Sequence, residues 1–463
     1  MALKEEFKEL LHELIPEESE QLIEAIESSE ASVSVRINPS KHASGVNDVL
    51  RPVPWCHEGA TLASRPQFTF DTDFQSGRYY VQDASSMFIS YVLCKLVQEP
   101  VRYLDLCAAP GGKTTAAISA LPEGSLVVAN EIVPLRAKIL RENVIKWGSP
   151  NCVVTHNRPA DFLPLQNFFD VIATDVPCSG EGMMRKDDTA VEQWSKKLVE
   201  ECAERDYQII DDIWQCLRPG GLLIYSTCTY NREEDEKIVD WIIEKYGAES
   251  IDVAPNEEWR IMGAIGSNSS CYRFMQHRID GEGLFMSVLR KPDADIKETT
   301  KQRPKKAKGA KPLTVPQLVK QWVCDADAYA YDFSVDGDDI VAVQKRLSAD
   351  VSAIRACMKV LHYGVTLGTA KGKNIVPSHA LALSTVLADD AFPSVEVDYA
   401  TAMAYMRGES VQIDAPRGYV LLRHAGAVLG FVNNLGNRAN NLYPKEWRVR
   451  STYVPKTKPD VVR

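Results

Sequence analysis

No stretch of the chain stays apolar for long. The longest, around Met87 to Val97, is interrupted by Lys95, far short of the roughly 18 residues that a membrane-spanning helix needs. A membrane protein is therefore excluded. An export signal is not expected either, because Met-Ala-Leu-Lys-Glu-Glu at the start is charged where a secretory peptide requires an apolar segment. Cysteine occurs 11 times but never with Cys-x-x-Cys spacing. No metal site is expected, and the thiols read as reduced, in a cytoplasmic protein. Positive charge is also short: 53 Lys and Arg against 63 Asp and Glu leave −10, an average that argues weakly against nucleic acid. No internal repeat of useful period occurs.

What is present is globular. At 463 residues, 45% hydrophobic and 25% charged, the chain has material for two to four domains, and disorder is excluded as its main state. Residues 3–30 carry apolar residues at helical spacing and are broken by Pro16 into two helices. Ala31 to Pro39 alternates with period two and reads as a strand. Beyond a helix starting near Asp83, strand-like runs (Val101 to Leu106, Ser125 to Ala129, Cys152 to Thr155, Val171 to Ala173, Gly221 to Ser226) alternate with helical stretches (Thr114 to Ala120, Pro134 to Trp147, Ala190 to Leu217). That alternation predicts a doubly wound parallel sheet. Tyr272 to Gln276 and Leu284 to Arg290, flanking Ile-Asp-Gly-Glu-Gly, predict a hairpin that adds an antiparallel last strand. The expected organisation is an N-terminal α/β subdomain over 1–76, an α/β core over 77–291, a basic flexible linker over 292–312 and a C-terminal α+β part over 313–463.

The first chemical signal is Asp105-Leu-Cys-Ala-Ala-Pro-Gly-Gly-Lys-Thr-Thr, after a buried-strand pattern and at the start of a helix. Adjacent glycines let backbone approach a ligand, and a helix N-terminus favours a carboxylate or phosphate. A P-loop would need glycine where Cys107 stands. The alternative is the cofactor turn of a Rossmann-like methyltransferase, with Cys107, Ala108, Ala109, Pro110, Gly111, Gly112 and Lys113 around S-adenosylmethionine. Glu131, about 20 residues further on at the end of the next strand, then grips the ribose hydroxyls.

The second and third signals are Asp175-Val-Pro-Cys-Ser-Gly-Glu-Gly and Tyr225-Ser-Thr-Cys-Thr-Tyr, each directly after a core strand. Neighbouring strands about 4.8 Å apart would bring Cys178 and Cys228 together at the ligand edge of the sheet. Cys94, Cys152, Cys202, Cys216, Cys324 and Cys357 read instead as small buried hydrophobes. A thiol beside a methyl donor has a specific use. Carbon 5 of cytosine is a poor nucleophile until a thiolate adds at carbon 6, and this addition splits one hard step into two easier ones. Spacing alone leaves open which cysteine attacks.

Taken together, Cys-Ala-Ala-Pro-Gly-Gly-Lys, Asp-Val-Pro-Cys-Ser-Gly-Glu-Gly and Ser-Thr-Cys-Thr-Tyr resemble the Sun/Fmu-type RNA (cytosine-5) methyltransferases, most closely the bacterial RsmF type that modifies 16S ribosomal RNA. Arg36-Ile-Asn38-Pro39, Gly77 to Ser86, Gly364 to Gly368, Pro377 to Leu383 and Asn441 to Arg448 extend the resemblance to the N-terminal subdomain and to a C-terminal part ending in a PUA-like fold. The resemblance implies a class I methyltransferase core and makes Cys228 the nucleophile. It gives Cys178 to product release, Asp175 to both cofactor and target base, and Lys113 to the pocket edge. Val176 departs from the usual alanine. His156-Asn-Arg-Pro-Ala-Asp161 stands where many members place an acid near the adenine, so no adenine contact is assigned.

The implied partner is RNA, either small-subunit ribosomal RNA or the assembled 30S particle, with no DNA and no membrane; the protein is expected to be a monomer. Phosphate contact needs only a local basic face. Seven Lys and Arg against two Asp and Glu follow from Arg438 onward, and six more lie between Lys301 and Lys311. Arg185 and Lys186 are the better RNA candidates because they follow the Pro-Cys loop. Tyr443 and Trp447 read as small-domain core, with base stacking as the alternative. Truncation after Lys311 is expected to weaken RNA binding and leave cofactor binding intact.

Overall fold

A computed structural model of the protein describes residues 2–41, 45–293, 315–324, 330–372, 374–451 and 453–463. Most of the expected basic linker, including Lys301 to Lys311, lies outside the described residues.

Two helices, Glu5–Leu14 and Ser19–Ser28, flank the predicted break at Pro16. Their apolar faces (Phe7, Leu11, Leu22, Ile26) pack on Trp194, Tyr230 and Met275 of the core. A small antiparallel sheet follows, made of β1 (Val33–Ile37), β2 (Val49–Pro52), β3 (Gly59–Leu62) and β4 (Tyr79–Val81), in the order β2-β3-β1-β4. Its edge strand β4 lies beyond position 76.

The core sheet contains β5 (Arg102–Asp105), β6 (Leu126–Asn130), β7 (Cys152–Thr155), β8 (Phe169–Asp175) and β9 (Leu217–Thr227), all parallel, in the order β9-β8-β5-β6-β7. Alternate side chains enter opposite cores. Leu104, Leu126, Val128 and Ile172 face one, and Tyr103, Val127, Ala129 and Val171 face the other. Strands covered on both faces read as continuous apolar runs, which is why the sequence marks them. The hairpin is present: β11 (Cys271–Phe274) pairs antiparallel with β12 (Leu284–Arg290), which pairs antiparallel with β9, and β10 (Glu249–Ser250) pairs with β12. The fold is α/β with a Rossmann-like methyltransferase core, a small N-terminal α/β sheet and a C-terminal α+β part.

Three expectations need correction. The helix expected over Ala190 to Leu217 is two helices, Asp188–Gln193 and Lys196–Trp214. Trp194 turns out of the helix line to bury its ring, and Ser195 caps the second helix by accepting the Leu198 N–H at 3.1 Å. Cys94 and Cys357 are exposed, unlike Cys152, Cys202 and Cys216.

The third correction concerns the C-terminal part. It holds two four-stranded sheets, but its strand Val360–Tyr363 pairs antiparallel with β7 and extends the core sheet. Val341, Val351, Ile354 and Tyr363 belong to the same apolar core as Leu104 and Ile172. The part after the linker thus shares the sheet and the apolar core of the α/β unit rather than being appended to it. Among the described residues, no helix is long and apolar enough to cross a membrane.

Candidate active site

The connections after β5 and β8 leave the sheet in opposite directions, so a crevice opens at their carboxyl ends. The loop after β5 turns at Gly111, whose φ of 114° lies in the left-handed region and whose added Cβ would sit 3.3 Å from Leu140 Cδ1. Only glycine suits that position. Helix Gly112–Ala120 then starts at the crevice wall. The loop is braced from three sides. The Ala108 N–H donates to the Asn130 carbonyl at 2.8 Å, Asn143 Nδ2 to Pro110 O at 2.8 Å, and Arg136 Nη2 to Ala109 O at 2.8 Å.

Cys107, Ala108, Ala109, Pro110, Gly112, Lys113, Asp175 and Cys228 line one cleft. Gly111 and Glu131 are not among the lining residues. Glu131 is 3% exposed; its Oε1 accepts the Val133 N–H at 2.8 Å, and Arg136 Nε lies 3.7 Å from its Oε2. Asp105 accepts the Thr114 hydroxyl at 2.6 Å, yet burial and then the neighbouring Asp175 push its carboxyl up to about 7.

Lys113 and Asp175 form an ion pair at 2.8 Å, and Asp175 also accepts the Ser226 hydroxyl at 2.8 Å. Burial opposes the lysine charge, but Asp175, Cys228 and Asp105 outweigh it and hold Lys113 above the ordinary lysine value. The two loop thiols meet as expected. Cys178 Sγ and Cys228 Sγ are 3.0 Å apart, and the Cys228 N–H points at Cys178 Sγ from 3.4 Å. The hydrogen bond to Cys228, then burial, hold Cys178 well above the usual thiol range. Either sulfur can donate in this pair. Cys228 lines the cleft and Cys178 is not among its lining residues, although both are partly exposed.

Two carboxylates absent from the expected site hold these loops together. Glu181, fully buried, accepts from Trp194 Nε1 at 2.9 Å, Tyr230 N at 2.7 Å, Asn231 N at 2.9 Å and Asn231 Nδ2 at 3.0 Å. Glu234 accepts the Ser179 N–H at 2.8 Å, the Ser179 hydroxyl, and Asn231 Nδ2 at 2.7 Å. The Pro-Cys loop and the Thr-Cys-Thr loop are thereby cross-linked through Asn231. Desolvation, then the nearby Glu181 charge, push Glu234 up to about 7. The position of Glu181 inside Pro-Cys-Ser-Gly-Glu-Gly was the available sequence signal.

The candidate RNA contacts fare unevenly. Arg185 is not free for RNA: its side chain is 6% exposed, paired with Glu282 at 2.9 Å and donating to Gly281 O at 2.8 Å. Lys186 also pairs with Glu282, at 3.0 Å, but remains on the cleft wall. Tyr443 is buried in the C-terminal core, with Trp447 packed beside it. Basic character near the C-terminus is partly spent internally, since Lys458 pairs with Asp73. After β7, the segment left unassigned is occupied by the chain itself. His156 N–H donates to Lys359 O at 2.9 Å, and Asn157 bonds both backbone groups of Lys359.

Three family models match the chain: 16S rRNA methyltransferase RsmB/F over residues 93–290, the N-terminal domain of 16S rRNA methyltransferase RsmF over 3–84, and the methyltransferase RsmF PUA domain over 392–449. The ribosomal RNA small subunit methyltransferase F of Klebsiella pneumoniae is 30% identical over 413 residues, 86% of this chain and 84% of that protein. Its counterpart from Erwinia tasmaniensis is 28% identical over 466 residues, 95% of each. A crystal structure of a methyltransferase homolog protein from Pyrococcus horikoshii has a TM-score of 0.54 at 24% identity, covering 62% of this chain and 95% of that one, so the fold is shared.

Proposed function

The chain belongs to the RsmF family of 16S ribosomal RNA methyltransferases, and from that membership we propose that it methylates carbon 5 of a cytosine in small-subunit ribosomal RNA through a covalent adduct on Cys228. It is a methyltransferase that uses S-adenosylmethionine, which supplies an electrophilic methyl group. The residues fit that cofactor. Gly112 opens the cleft floor to a ligand, the free N–H groups of its helix and Lys113 suit a carboxylate, and Glu131 at the end of β6 suits ribose hydroxyls.

The observation that carries the cytosine reading is the sulfur pair: Cys228 lines the cleft and Cys178 Sγ lies 3.0 Å from its sulfur. We assign the donor role in this pair to Cys178, which stabilises negative charge on the Cys228 sulfur. Cys228 adds to carbon 6 of the base, and the ring electrons shift to carbon 5, which takes the methyl group. A base then takes the carbon 5 proton, the electrons of that C–H bond re-form the carbon 5–carbon 6 double bond, and the carbon 6–sulfur bond breaks to release the Cys228 thiolate; Cys178 serves this release. To Asp175, held by Lys113 and Ser226, we assign the hydrogen bond from the exocyclic amine of the base. Nitrogen or ribose methylation needs no such thiol pair. We read the substrate as naked 16S ribosomal RNA or the assembled 30S particle, the protein as a cytoplasmic monomer, and the N-terminal and C-terminal parts as RNA-holding elements. Bisulfite sequencing of 16S ribosomal RNA tests this. One 5-methylcytosine should vanish in a strain lacking the protein and return with the intact chain but not with Cys228→Ala; an unchanged pattern refutes it.

A further inference from the structure

Beside the catalytic cleft lies a second one that the chemistry does not use. It runs between the small N-terminal sheet (Arg51, Pro52, Trp55), the loop bearing Trp259 and Arg260, and residues Arg278 to Asp280. It adjoins the first cleft at two places. Asp83 lines the catalytic cleft and Ala84 the second; Glu282 and Gly283 line the catalytic cleft and Ile279 and Asp280 the second. A strand whose target base is turned into the catalytic cleft would therefore carry its neighbouring nucleotide past this surface.

The lining suits a nucleotide. Trp259, partly exposed, packs edge-on against Trp55 (ring centroids 5.9 Å) and Tyr91 (4.9 Å), which fixes the indole without covering it. Aromatic faces of this kind stack bases with little sequence preference. Arg51, although paired with Asp280 at 2.6 Å, leaves 62% of its side chain exposed. Arg278 is committed to Glu18. Arg260 is different. It is exposed, it has no ion-pair partner among the described residues, and its φ of 58° lies in the left-handed region. A long side chain is strained there, whereas glycine would not be. An unpartnered arginine kept in a strained backbone position over an aromatic cleft points to a ligand.

We propose that this cleft binds the nucleotide adjacent to the target cytosine in single-stranded RNA, with its base against Trp259 and its phosphate on Arg260 and Arg51. The proposal rests on the RNA-methylating reading for where the target base enters, and its test is a binding measurement independent of the methylation chemistry. The full-length protein is titrated with an unmodified 16S ribosomal RNA transcript at several salt concentrations. Arg260→Gly and Arg260→Glu should weaken binding about five- to tenfold and lower the salt slope by about one counterion. Affinity for S-adenosylmethionine should be unchanged. Because glycine relieves the left-handed strain, Arg260→Gly should melt no lower than the natural chain, which separates lost contact from lost folding. Trp259→Ala should weaken binding and Trp259→Phe restore most of it. Lys197→Glu, the same charge reversal at an 82% exposed side chain that lines neither cleft, should change nothing. Wild-type affinity and salt slope in both Arg260 variants would overturn the proposal. If those variants lose affinity while the natural chain makes no 5-methylcytosine, the cytosine reading fails and the cleft stands.

Discussion

Asn157 and Lys359 exchange two hydrogen bonds: the Asn157 amide donates to the Lys359 carbonyl at 3.2 Å and accepts the Lys359 N–H at 3.0 Å. These bonds join the end of β7 to the strand Val360–Tyr363 at the edge of the core sheet. Each neutral hydrogen bond contributes about 1 kcal/mol, and a stranded buried donor costs about 1–3. Asn157→Ala is therefore expected to lower stability by ~2 kcal/mol in denaturant titration. Truncation after Lys311 should go further, exposing the core that Val341, Ile354 and Tyr363 cover, and should yield a chain with weakened cofactor binding. A truncated protein that binds S-adenosylmethionine with full affinity would show the C-terminal part to be separable.

Glu131→Ala should weaken S-adenosylmethionine binding about ten- to a hundredfold, because a hydrogen bond to a charged group contributes ~1.5–3 kcal/mol. The same carboxylate holds the Val133 N–H, so Glu131→Gln, which keeps that acceptor, should recover part of the loss. Calorimetry with equal affinity in all three proteins would remove Glu131 from the cofactor site.

Glu181 satisfies four buried donors at once. Glu181→Ala leaves the Trp194, Tyr230 and Asn231 N–H donors without this partner, while Asn231 Nδ2 keeps Glu234; at about 1 kcal/mol or more for each lost partner the cost should reach ~3 kcal/mol. Since those donors belong to the loop of Cys228 and to Trp194, the variant should also lose kcat more than it raises KM for RNA. A stable, fully active Glu181→Ala protein would show that the loops do not depend on this cross-link.

The buried acid Asp206 sets a pH dependence. Burial, then the nearby Glu234 charge, raise its carboxyl to about 8 from an ordinary 3.8, against the Tyr225 hydroxyl that donates to it at 3.2 Å. The folded chain thus holds this proton more tightly than the unfolded one. The resulting stability is complete below about pH 4 and is lost as pH rises toward about 8. Asp206→Asn keeps the acceptor and removes the titration. Denaturation of both proteins at pH 5 and pH 8 should show the variant gaining on the natural chain at the higher pH. A difference that does not move with pH would mean that Asp206 is ionised in the folded protein.

What could be read from sequence, and what could not, follows from the range of each interaction. Strands β5 to β9 are legible because both of their faces are buried, and the cofactor loop because its glycines and helix start are contiguous. The break at Trp194 is not legible, since an apolar tryptophan suits the helical period and leaves it only to reach Glu181. Nor is the fate of Arg185, whose partner Glu282 lies far along the chain. The strand Val360–Tyr363 is short, and its pairing with β7 crosses the whole linker. Motifs placed the two cysteines at neighbouring strand ends; only the three-dimensional arrangement shows which of them lines the cleft.

That asymmetry leads to the most discriminating prediction. With Cys228 lining the cleft and Cys178 Sγ 3.0 Å from its sulfur, the proposed mechanism gives the attack on carbon 6 to Cys228. Cys228→Ala should abolish methylation and form no covalent RNA adduct. Cys178→Ala leaves the attacking sulfur in place, so addition and methyl transfer proceed while release of the product stalls. A protein–RNA species that survives denaturation should therefore accumulate in the Cys178 variant alone, visible on a denaturing gel with labelled 16S ribosomal RNA. If the thiols were only small buried side chains, both alanine variants would remain active, with modest losses of stability. If Cys178 were the nucleophile, the adduct would be trapped in the Cys228 variant instead. Because the three cases give three different gels, an adduct that requires Cys178 would reverse the assignment of the two sulfurs.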